Sequence, residues 1–253
     1  LPYVIRIEKF IIASEIGVEA AALFHVAQLA WLAGLVVPQA LRAALLPVLG
    51  EHRNDSDKFQ SSLNNSLDLC LGILPIGLFF GAGIVYFLLP ITFPEQYFDG
   101  SIGASAVDLF MILLFGWCLT LMATPTYTAL QAGRKPWNFT FLIATVVIFA
   151  TFVGYVLIDW QAAKSDGSGL YAGAIASSVT SGFLLLMSIH LSSNWSLINS
   201  RAPQILLAIF VSAITCYGLA NSSWIAISGI ILFYFIPQGI QSISSTDEKL
   251  SET

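Results

Sequence analysis

Apolar runs of about twenty residues recur along the whole chain, separated by short polar breaks. Wound as a helix, such a run matches the ~30 Å hydrocarbon core of a bilayer. In lipid every backbone N–H and C=O must be satisfied within the protein, which leaves helices or closed barrels. These runs are too long, too rich in Gly, Ala and Leu and too weakly alternating for barrel strands. The expected fold class is all-α, a polytopic transmembrane helical bundle. Composition agrees. Hydrophobic residues make up 57% of the 253, and charged residues only 10%, against about 25% in soluble domains. Mean hydropathy is +0.80.

The pattern predicts one partial and seven full spans. The partial helix covers about 1–14, and a long helix follows over about 17–47, bent at Pro38 and again at Pro47. The others lie at about 60–89, 105–132, 137–159, 169–191, 203–220 and 223–243. "NSSW" at 221–224 is a thin hinge that suits either two full spans or a re-entrant hairpin. The domain reading is a bundle over 1–195, an additional helix pair over 196–244 and a polar, disordered tail over 245–253. The incomplete first helix and the missing initiator methionine suggest the C-terminal portion of a longer protein.

Lys and Arg set the orientation. Arg42, Arg53, Lys58, Arg134, Lys135, Arg201 and Lys249 fall on one side, and Lys164 alone on the other. The basic side, with the C-terminus, is expected to be cytoplasmic. A net charge of −5 argues against a nucleic-acid partner. Cys70, Cys118 and Cys216 lie inside apolar runs and read as buried small hydrophobes. The sequence has no Walker A loop, no HExxH, no GxSxG and no paired-cysteine motif, so no cofactor or metal is expected.

Polar residues inside spans are costly, and they mark substrate or ion routes. In "RIEK", Arg6 and Lys9 share a helical face and Glu8 points elsewhere. Either the two cations line a cavity or they snorkel from a helix end. On the next helix His25, Gln28, Gln39 and Arg42 fall within about a 100° arc, shared with Leu32 and Leu35. That arc suits a polar seam facing water, or interhelical hydrogen bonds with Arg42 at the interface. Thr120, Thr124, Thr128 and Gln131 form a ridge whose hydroxyls suit bonds back to their own helix. Asp68 reads as a cytoplasmic helix extension or a cavity entrance. "GLFFG" at 77–81 and "GLYAG" at 169–173 imply close helix contacts.

The order of "IIASEIGVEAAALFHVAQLA", "LPVLGEHRNDSDKF", "FPEQYFDGSIGAS", "TALQAGRKPW" and "GLYAGAIAS" resembles the C-terminal half of the Wzx-type polysaccharide flippases. These belong to the multidrug/oligosaccharidyl-lipid/polysaccharide exporter superfamily. The likeness covers roughly residues 1–195. It departs in having Glu8 where an Asp is usual and in lacking the Gly that often precedes the Tyr of the external loop.

The resemblance implies one of two pseudo-symmetric bundles, as in multidrug and toxic-compound extruders, in a bacterial plasma (inner) membrane. It implies flipping of an undecaprenyl-pyrophosphate-linked oligosaccharide for cell-surface polysaccharide, by alternating access and without enzymatic chemistry. The implied partners are that lipid-linked oligosaccharide, the lipid bilayer, an N-terminal bundle and a polysaccharide polymerase complex. Arg6, Lys9, His25, Gln28, Gln39 and Arg42 are the candidate substrate-binding residues. The rivals are an ion-coupled or multidrug exporter of the same superfamily, a membrane enzyme of polysaccharide assembly and a non-transporting scaffold.

Overall fold

A computed structural model describes residues 7–133, 135–162, 168–192 and 195–242, with the backbone alone for 195–200. Helix dominates. In chain order come α1 (Glu8–Glu15), α2 (Val18–Gly34), α3 (Val36–Glu51), α4 (Ser56–Thr92), α5 (Ala106–Ala132), α6 (Trp137–Ala162), α7 (Ser168–Ser192) and α8 (Trp195–Ala220). A terminal span, Trp224–Ser242, completes the bundle. With α2 and α3 taken as one span, seven helices are long and apolar enough to cross a membrane. The chain is a multi-pass membrane protein with an all-helical fold.

α5 is the hub and touches α2, α3, α4, α6, α7 and α8. It is apolar all round, as a helix with protein on every side must be. α6 is as apolar, yet it buries only the stripe Leu142, Val146, Ala150, Gly154 and Ile158. Its remaining face, including Ile148 and Phe152, is exposed and suits lipid. α7 inverts the water-soluble pattern. Gly173, Ala176, Ser177 and Ser181 face inward, while Ile175, Val179 and Leu186 face outward. Small residues let backbones approach, and lipid accepts the large side chains.

Glycines set the closest contacts. A methyl at Gly173 would meet Ile12 Cδ1 at 2.7 Å, and one at Gly116 would meet Ser178 Oγ at 2.9 Å. The 169–173 pair therefore packs against α1, and the 77–81 pair packs against Trp117 and Leu114 of α5. Gly17, at φ 132°, adopts a backbone that side chains disfavour, and it turns the chain between α1 and α2.

The long second helix breaks at Leu35. The cause lies three residues on. Pro38 has no N–H to offer the Gly34 carbonyl. The Trp117 indole fills that vacancy, with Nε1 donating to Gly34 O at 2.8 Å. The expected second bend at Pro47 does not break α3, which continues to Glu51. Both Pro47 and Ala43, whose carbonyl Pro47 leaves unbonded, are exposed.

Two further boundaries differ from expectation. α8 begins at Trp195, so the expected loop before Pro203 is helical. The terminal span starts as twelve residues of 3₁₀ helix, Trp224–Phe235, an unusually long run for that form. Its burial repeats every third residue. Gly229, Leu232 and Phe235 are buried, while Ile227, Ile230 and Phe233 are exposed. A helix with three residues per turn stacks side chains in such rows.

Together α8 and the terminal span pack on each other and on α4. One close approach to α4 is backbone on backbone, at Gly72 and Gly239. Residues 243–253, with Lys249 and the expected disordered tail, lie outside the described residues, as do Arg134 and Lys164.

Candidate functional site

At one end of the bundle the 51–60 segment, the α5–α6 connection and the end of α7 converge on a cavity of about 410 Å³. Local chemistry positions each wall. Asp55 caps α4 by accepting a hydrogen bond from the Lys58 N–H at 3.1 Å. Ahead of it a short 3₁₀ turn, His52–Asn54, carries Arg53. His52 Nδ1 and Ser62 Oγ, 3.1 Å apart, fold that turn back onto α4. α5 ends at Gly133, whose N–H reaches Ala129 O at 2.9 Å. Lys135 then caps the start of α6 through its carbonyl, bonded by the Asn138 N–H at 3.0 Å. The cavity is lined by Arg53, Ser56, Gln60, Lys135, Asn138 and Ser192 together with apolar side chains, and none of its described lining residues is acidic.

Arg42 lies at the same end. Its Nε and Nη2 donate to Gln131 Oε1 at 3.1 and 2.8 Å. Its guanidinium carbon sits 5.9 Å from the centre of the Phe139 ring. Gln131 and Phe139 each adjoin a residue that lines the cavity, Leu130 and Asn138. Arg53 and Lys135 thus share the cavity, and Arg42, from a third part of the chain, lies at the same end on Gln131.

A second polar region lies inside the bundle. Ile12 of α1 and Phe24 of α2 both abut Gly173 of α7. One turn further on each helix stand Glu8 and Gln28, 0% and 1% exposed. Gln28 Oε1 is buried and accepts no hydrogen bond among the described residues. Glu8 packs its stem near Gly154 of α6.

The other sequence-predicted residues fall as follows. Arg6 lies outside the described residues. Lys9 is half-buried, with its ammonium 5.2 Å from the Phe10 ring centre, and that ring is itself 67% exposed. His25 and Gln39 are half-buried. The break at Leu35 separates His25 and Gln28 from Gln39 and Arg42. Of the arc's apolar members, Leu35 belongs to the apolar core and the half-buried Leu32 packs against it.

Thr120, Thr124 and Thr128 each donate to the carbonyl four residues back, at 2.9, 2.9 and 2.6 Å. Asp68 forms a two-pronged ion pair with Arg201, with Nη1 2.6 Å from Oδ1 and Nη2 donating to Oδ2 at 2.8 Å. That pair ties α4 to α8.

Arg53, Lys135, Gln60 and Asn138 were not among the sequence-predicted site residues. Their signal was present as basic loops, but helical periodicity says nothing about which loops meet. No protein-family model, curated protein or solved structure matches this chain. Among the described residues no cluster of His, Cys, Asp and Glu could hold a metal ion. The basic end holds donors of the kind that form charge-assisted hydrogen bonds to anions.

Proposed function

We propose that this protein translocates a lipid-linked oligosaccharide, carried on an isoprenoid pyrophosphate, across the plasma membrane of a bacterium for cell-surface polysaccharide. The reading is carried by Arg53 and Lys135 on one cavity, with Arg42 at the same end, in a bundle with apolar flanks. An anionic headgroup needs cations and water to leave its leaflet, while its isoprenoid tail stays in lipid. No bond is made or broken, so the protein acts as a transporter and not as an enzyme. The basic end faces the cytoplasm on this reading, where positively charged loops are retained. The test is proteoliposomes carrying the protein together with the N-terminal bundle that the resemblance implies, and a fluorescent lipid-linked oligosaccharide, with outer-leaflet signal quenched over time. Protein-dependent exchange between leaflets is expected. Exchange no faster than in empty vesicles overturns the reading.

A second reading, an ion-coupled exporter of organic cations, draws on the burial of Glu8 and Gln28 inside the bundle. It requires that Glu8→Gln abolish accumulation-driven efflux of a cationic dye. Unchanged efflux in that variant removes it.

A further inference from the structure

We propose that the cavity at the basic end is the receiving site for the phosphate-bearing headgroup of the lipid cargo. This deepens the transport reading above and rests on it. The charge of the chain makes the cavity unusual. Acidic residues outnumber basic ones, 15 to 10, yet Arg53 and Lys135 line the cavity and no described acid does. Asp55 caps α4 and approaches Lys58, whose Nζ lies 3.8 Å away, and Glu51 and Asp57 are not among the lining residues.

The two cations stand on different walls, Arg53 before α4 and Lys135 before α6. Arg53 offers a planar fork for two phosphate oxygens, and Lys135 a movable point charge. Asn138 is the second residue of α6, so that helix N-terminus adds positive potential to the space, while the Asp55 carboxylate that caps α4 offsets the other. Gln60, Asn138, Ser56 and Ser192 supply amides and hydroxyls suited to ester oxygens and sugar hydroxyls.

Size selects the ligand class. A volume of about 410 Å³ falls within the 300–1,000 Å³ of sites that hold organic molecules and exceeds what a bare anion fills. The same walls include Phe59, Leu130 and Leu191, an apolar lining suited to the first carbons of a lipid tail. Trp137, beside Asn138, is 79% exposed, as aromatic side chains at a membrane–water interface are.

The test compares two probes on the purified protein, a water-soluble short-chain prenyl pyrophosphate and inorganic pyrophosphate. The expected result is saturable binding of the prenyl probe, weakened about ten-fold or more in the Arg53→Gln, Lys135→Gln double variant. Lys58→Gln, at a cation outside the cavity, should bind as wild type. The Arg53→Lys, Lys135→Arg variant keeps both charges and should retain most of the affinity, which separates lost charge from lost folding.

Equal affinity in the double glutamine variant overturns the proposal. Displacement of the prenyl probe by an equal concentration of inorganic pyrophosphate assigns the cavity to a free anion and overturns its lipid assignment. Flipping separates this proposal from the reading it rests on. A protein that binds the probe through Arg53 and Lys135 but moves no lipid keeps the site and loses the transport reading. A double glutamine variant that binds and flips as wild type loses the site and keeps the transport reading.

Discussion

Trp117 shows how much one side chain can organise. Its indole N–H satisfies the Gly34 carbonyl that Pro38 leaves open. Its ring lies in a slot between Gly34 and Gly77, where a methyl at Gly77 would overlap the six-membered ring. Gly77→Ala should therefore lower stability by about 1–3 kcal/mol through overpacking, read as a lower midpoint in detergent-titrated unfolding. Trp117→Phe removes the clash in the double variant but strands the Gly34 carbonyl, a loss of about 1–3 kcal/mol. The two substitutions should accordingly be less than additive, and strict additivity would disprove the slot. The proline and both glycines are plain in the sequence. Their common partner is not, because Trp117 is 83 residues from Gly34 and no local period connects them. Asp68 teaches the same lesson. Its charge was legible, and its partner Arg201, 133 residues away, was not.

Most helix positions, α8 apart, were legible to within a few residues, because lipid demands long apolar runs and polar breaks end them. Helix roles were not. Hydropathy treats α5 and α6 alike, although α5 is the hub and α6 turns most of its surface outward. The informative signal was the placement of small and hydroxyl residues, which in α7 mark the inner face. It yields a test opposite to the rule for soluble proteins. Leu186→Ala, at a position 65% exposed, should change folded yield little. Ser178→Leu should reduce it sharply. Ser178 Oγ donates to Ile112 O at 2.6 Å, and the residue lies against Gly116. Removing that donor and overfilling the contact should together cost about 2–4 kcal/mol. Monodisperse yield after size-exclusion chromatography checks both, and a well-folded Ser178→Leu protein would contradict the packing described.

At the scale of the whole molecule, the basic-residue bias grouped the loops at 50–58 and 134–136 on one side. The structure brings Arg53, Lys135 and Ser192 around one cavity, so these segments share an end of the bundle. The native cysteines are all buried, which makes single-cysteine labelling clean. Asn54→Cys should react with a membrane-impermeant maleimide only after the cells are opened, and Gln96→Cys in intact cells. The reverse pattern would invert the orientation. The cavity itself could not be read from sequence, because it exists only where three chain segments meet.

The terminal span carries a consequence for the bilayer. Twelve residues of 3₁₀ helix rise about 24 Å, where the same residues as α-helix would rise about 18 Å. The winding alone gains about one α-helical turn of reach with no residue added. A 19-residue span that is short for a ~30 Å core thereby gains a margin. Thickness of the host membrane should then act on its winding, thin bilayers favouring the shorter α form and thick ones the stretched form. Spin labels at Trp224 and Ile236 should lie several ångströms closer in short-chain lipid than in long-chain lipid, a span acting as an elastic gauge of the membrane it crosses.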